Sequence, residues 1–74
     1  MMQIETPWVN KGEWIYISGH NPADLRTYYV TIGDETKPAG VERDKLLVRC
    51  PDIKEKTEVF IDGEKIGYVR PRGA

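Results

Sequence analysis

Apolar and polar residues alternate in several short stretches of the chain, and no stretch sustains the three-and-four spacing of a helix. Trp14-Ile15-Tyr16-Ile17-Ser18 is aromatic and β-branched, with Ile15 and Ile17 on one face of a predicted strand and Trp14 and Tyr16 on the other. Gly19-His20-Asn21-Pro22 breaks it. Thr27 to Ile32 predicts a second strand with Tyr28, Val30 and Ile32 on one face and Thr27, Tyr29 and Thr31 on the other. Between the two, Asn21 to Arg26 suits a single helical turn, since Asn caps well and Pro fits the first helical position.

Gly33 to Gly40 is polar and aperiodic and is expected to be a loop. Leu46 to Cys50 is assigned as a strand stopped by Pro51, with Leu46, Val48 and Cys50 inward and Leu47 and Arg49 outward. A helix over residues 41–49 is the alternative, because the helix formers there are good but the apolar residues are bunched. Thr57 to Ile61 and Lys65 to Arg70 flank Asp62-Gly63, a pair typical of a tight hairpin. A two-residue loop sets Val59 opposite Ile66. A four-residue loop from Asp62 to Lys65 sets Ile61 opposite Ile66 and Val59 opposite Tyr68, and the more continuous apolar face favours it.

Four or five short strands separated by Gly, Pro, Asn and Asp imply an all-β fold, a small antiparallel immunoglobulin-like sandwich. The alternatives are a small SH3-like or OB-like barrel, or an α+β fold if residues 41–49 are helical. The expected core is Ile15, Ile17, Val30, Ile32, Leu46, Val48, Val59, Ile61 and Ile66. At 74 residues there is room for one domain, which buries only about 60% of the unfolded surface. Residues 1–70 form that domain and residues 71–74 are expected to be a flexible basic tail.

The whole pattern resembles the IPT/TIG branch of immunoglobulin-like domains, found in plexin ectodomains, Rel-type transcription factors and many bacterial and phage surface proteins. Ile4, Pro7, Gly12, Ile15, Ile17, Gly19 and Asn21 follow that family's opening order, and Val30-Thr31-Ile32-Gly33 follows its next strand. Leu47 to Pro51 is similar to its apolar-x-Cys-then-Pro strand end, and Val59 to Gly63 to its closing strand and turn. Pro22 departs from the aromatic or leucine usual at that place, and the glycine-rich entry is reduced to Lys11-Gly12. The resemblance implies a sandwich with a binding or scaffolding role, and it carries over no catalytic residue.

Net charge changes the picture by what it removes. Eleven Lys and Arg against twelve Asp and Glu leave a charge of -1, which withholds the general attraction that non-specific nucleic-acid binders use, so nucleic acid is not the expected partner. Single-strand binding through Tyr28, Tyr29 and Trp14 is the weakest of three function classes. One Cys and one His fall short of a metal ligand set, and no cofactor is expected. His20 is expected on a surface turn or packed against a tyrosine, and Cys50 as a small buried hydrophobe. Carboxylates near the last hairpin alternate with lysines as a solvated face does.

What remains is binding. Trp8 and Trp14 either close the ends of the core or anchor an interface, and Trp14 with Tyr16 forms an outward aromatic stripe. Partner-binding residues are therefore sought at Trp8, Trp14, Tyr16, Tyr29, Arg70 and Arg72, and no catalytic residue is assigned. The function expected is a non-enzymatic protein-binding or structural decoration module of a phage or microbial surface assembly. The alternative is a small phage-type regulator, acting on transcription, that docks on a host enzyme such as RNA polymerase. The chain opens with Met, shows no signal segment and has no stretch apolar enough to span a bilayer. A small complete gene product is therefore expected in the cytoplasm of a microbial or infected host cell, or in a virion, without membrane insertion.

Overall fold

A computed structural model describes residues 1–73. Among the described residues eight strands run in chain order: β1 (Gln3–Ile4), β2 (Trp14–Ser18), β3 (Tyr29–Ile32), β4 (Glu35–Pro38), β5 (Gly40–Glu42), β6 (Lys45–Arg49), β7 (Thr57–Ile61) and β8 (Glu64–Val69). They form two antiparallel four-stranded sheets, ordered β1-β2-β6-β5 and β4-β3-β7-β8. This is an all-β sandwich, and its strand order is the immunoglobulin ABED sheet facing a CFG sheet extended by one strand. The two-sheet arrangement replaces the barrel alternative. Residues 41–49, the candidate helix, are β5, a turn and β6.

Alternation built the inward face as expected. Ile15, Ile17, Val30, Ile32, Leu46, Val48, Cys50, Val59 and Ile61 are buried, joined by Val9, Tyr28 and Val69, while Ile66 is only partly buried. The two sheets meet through these side chains, because each strand sends every second residue between them. At one margin Ala39 carries the chain from β4 straight into β5 and so from one sheet to the other, its amide donating to the Tyr28 carbonyl at 2.8 Å. At the opposite margin Trp8 forms a parallel bridge to Arg70, with the Val9 amide on the Arg70 carbonyl and the Arg70 amide on the Pro7 carbonyl.

Three local expectations are corrected. The region from Gly33 to Gly40 is not a loop: a turn at Gly33-Asp34 leads into β4, an edge strand paired to β3 from Ile32↔Glu35 to Tyr29↔Pro38. The Asn21–Arg26 segment is not helical. Asn21 accepts the Ala23 amide on its side chain and the Asp24 amide on its carbonyl, which makes a capped turn.

The last hairpin has the two-residue loop, with Ile61 paired to Glu64, rather than the four-residue one. Asp62 at φ 50° and Gly63 at φ 88° adopt the left-handed pair that such a turn requires, and both residue types accept it. A bulge between Val59 and Phe60 pairings then shifts the register, setting Val59 opposite Gly67 and Thr57 opposite Val69. Turn chemistry fixed the start of the ladder, and the bulge re-phased β8 so that Val69 points inward and Tyr68 outward.

Candidate functional site: an aromatic and arginine face

Outward positions of β2 and β6 lie side by side because the register pairs Trp14 with Arg49 and Tyr16 with Leu47. Trp14 is exposed and Tyr16 and Leu47 are half-buried, so the outer face of this sheet carries apolar surface that a polar stripe would ordinarily cover. The Arg49 guanidinium lies 4.0 Å from the Trp14 ring centroid and donates to the Gly12 carbonyl at 2.6 Å. Stacking and the hydrogen bond together fix the orientation of a planar donor group on an exposed residue. Arg49 forms no ion pair with a carboxylate among the described residues.

Next along the sheet, β5 pairs Gly40 with Leu47. With no side chain at that position, a groove of about 520 Å³ opens over the sheet, walled by Trp14 and Arg49, by Tyr16 and Leu47, by Val41 and Glu42, and by Lys37 and Pro38. A second hollow of about 450 Å³ continues the same face past Trp14 and Arg49 to Trp8, Gly12, Glu13 and Arg72.

Trp8 is exposed, with the Arg70 guanidinium 5.3 Å from its ring centroid. Arg72 is fastened rather than free: its amide donates to Asn10 Oδ1 at 2.9 Å and its guanidinium pairs with Glu13. Hydrogen bonds from the Asn10 amide and from Arg72 hold the Glu13 carboxyl below the usual carboxylate range. Of the segment read as a tail, Arg72 is thus part of the wall of the second hollow, and Ala74 lies outside the described residues.

Of the six residues proposed from sequence, the fold gathers Trp8, Trp14, Tyr16, Arg70 and Arg72 along one side and leaves Tyr29 elsewhere. Tyr29 is exposed on β3, in the opposite sheet, beside Pro38 of β4. Leu47, Arg49 and Gly40 were not proposed. Leu47 and Arg49 join the site through the pairing of β6 with β2, far away in sequence, and Gly40 through the β5-β6 hairpin, whose short first arm Gly40-Val41-Glu42 shows no alternation to read.

Elsewhere, chemistry is sparse. His20 is buried, meets Tyr28 edge-on with centroids 5.7 Å apart, and its Nδ1 has no hydrogen-bond partner among the described residues. Burial pushes the Cys50 thiol up, as expected of an apolar filler. Among the described residues no group of three or more His, Cys, Asp or Glu is placed to hold a metal ion, and no helix is long and apolar enough to cross a membrane. No family model, no curated protein and no solved structure matches this chain.

Proposed function

We propose that this chain is a non-enzymatic protein-binding module that engages its partner through the outer face of the β1-β2-β6-β5 sheet. One observation carries the reading: exposed Trp14 and half-buried Tyr16 and Leu47 lie together on one sheet face, with Arg49 stacked on Trp14 and Trp8 and Arg70 beside them. Trp, Tyr and Arg are the side chains that most often supply interface energy, because each combines a large contact area with a directed polar group. The resemblance to IPT/TIG domains points the same way, and immunoglobulin strand order is what supports it. Whether the partner is a surface assembly to be decorated or a host enzyme to be regulated follows from the partner's identity.

The test is affinity capture from microbial lysate with the full chain and with Trp14→Ala, both shown to be folded by dichroism. Loss of a central anchor commonly costs about 2 kcal/mol, roughly thirtyfold in affinity, so the partner captured by the parent should be largely lost. Equal capture by the two chains would remove this face from consideration.

A further inference from the structure

Gly40 is not demanded by its backbone. It is absent from the residues with positive φ, and a Cβ placed on it would meet only the Leu47 carbonyl oxygen, at an ordinary 3.8 Å. A Cβ is therefore accommodated there without straining the strand, and a longer side chain would extend over the groove that Gly40 lines. The missing side chain is therefore what leaves an apolar seat open on the sheet.

The seat and Arg49 share one strand face. Leu47 and Arg49 are two residues apart on β6, so they stand about 7 Å apart along the strand, the same repeat as alternate side chains of an extended peptide. Around this groove the charged residues are Lys37, Arg49 and Glu42, and Glu42 is set opposite Lys45, at the other end of β5 from Gly40. Lys37 is already paired with Glu35 at 2.9 Å, which leaves Arg49 as the cation with unmet donors. One guanidinium fork matches one carboxylate, whereas a nucleic-acid backbone would need several cations.

Resting on the reading that this face binds protein, we propose that the groove over Gly40 receives an extended acidic segment of the partner. An apolar side chain of that segment sits on Leu47 and Tyr16, and an Asp or Glu two residues along pairs with Arg49.

The test pans a random heptapeptide library on the full chain, then titrates one enriched peptide by amide NMR shifts and tryptophan fluorescence. Enriched sequences should carry an aliphatic or aromatic residue two positions from Asp or Glu. Gly40→Phe should lower affinity at least tenfold and Gly40→Ala by less. Arg49→Gln should lower affinity for the acidic peptide about tenfold and leave unchanged the affinity for the same peptide with Gln in place of the acid, a contrast that a merely structural role would not produce. Should Gly40→Phe fail to fold, Gly40→Ala and Leu47→Ser carry the comparison. Absence of enrichment, indifference to the Gly40 variants, or tight binding of oligothymidine instead of peptide would overturn the proposal. A peptide weakened by Trp14→Ala but not by the Gly40 or Arg49 variants would sink this seat while sparing the face, and one indifferent to all of them would sink both.

Discussion

Ile4 of β1 lies over Gly67 of β8, its Cδ1 3.2 Å from where a Cβ on that glycine would stand. The bulge in β8 sets Gly67 opposite Val59 on the inward side of its sheet, and β1 crosses there, so the two sheets close at this point. Gly67→Ala should push Ile4 outward by a few tenths of an ångström and hold an alanine at φ 159°, and the two together should cost about 1–3 kcal/mol. Urea denaturation would show it, and Gly67→Ala combined with Ile4→Val should recover part of the loss. A single variant as stable as the parent would mean that β1 and the backbone at Gly67 both yield freely.

Val48→Ala should cost about 1–3 kcal/mol through a cavity and lost burial between the sheets. Arg49→Ala, next in the chain but outward, gives up one stacking contact and one hydrogen bond to a carbonyl, roughly 1 kcal/mol. Chemical denaturation of both variants checks the ordering. Equal losses would place Arg49 in a tighter network than its contacts show.

Such alternation is why the inner face was legible in the sequence. Ile15 and Ile17, Val30 and Ile32, Leu46 and Val48, and Val59 and Ile61 each announce a strand with one dry side. β4 was illegible because Glu35-Thr36-Lys37-Pro38 is an edge with no apolar residue to show a phase; charge and proline there guard the edge and hide the strand. Val9 was missed because it is buried from an irregular segment, and Val69 because a bulge, which has no periodicity, decides its side. The site divides the same way. Trp14 and Tyr16 were readable from one strand's alternation, but Leu47, Arg49 and Gly40 join them only through the β2-β6-β5 pairing.

Stability should fall as pH drops below the ordinary carboxylate range. Asp62 accepts from Arg26 and, at 3.0 Å, from the Tyr29 amide, tying the last turn to the start of β3. Those bonds, Arg26 first, hold the Asp62 carboxyl below its usual value, as Lys45 does for Glu5. Because the folded pKa is the lower one, the unfolded chain binds more protons, so the contribution is present above about pH 4 and lost as pH falls through the folded value. Asp62→Asn keeps a residue tolerant of positive φ while removing the charge, and should flatten the acid limb of a melting-temperature profile. An unchanged limb would show that Asp62 acts through geometry alone.

Cys50 should resist thiol reagents in the folded chain. It is buried, its amide donates to the Glu13 carbonyl at 2.8 Å, and burial raises its pKa, so both access and thiolate fraction are low. Reaction with a disulfide reagent at pH 8 should be at least tenfold slower than in urea, and should speed up as denaturant populates the unfolded state. Equal rates would mean that the strand end at Pro51 opens readily.

Removal of residues 71–74 tests whether the chain end belongs to the site wall. Arg72 contributes one amide hydrogen bond to Asn10 and one exposed ion pair to Glu13, which together are worth roughly 1 kcal/mol at most. The change in stability should therefore be small, whereas the local change should be clear. Freed of Arg72, the Asn10–Glu13 turn loses its outer tie, and the Gly12 amide, bonded to the Cys50 carbonyl at 2.9 Å, should exchange faster with solvent. The Arg70 amide, bonded to the Pro7 carbonyl independently of Arg72, should keep its protection. Hydrogen exchange at these two positions decides the matter: faster exchange at Gly12 alone marks residues 71–73 as part of the hollow beside Trp8, and no change at either marks them as a bystander end.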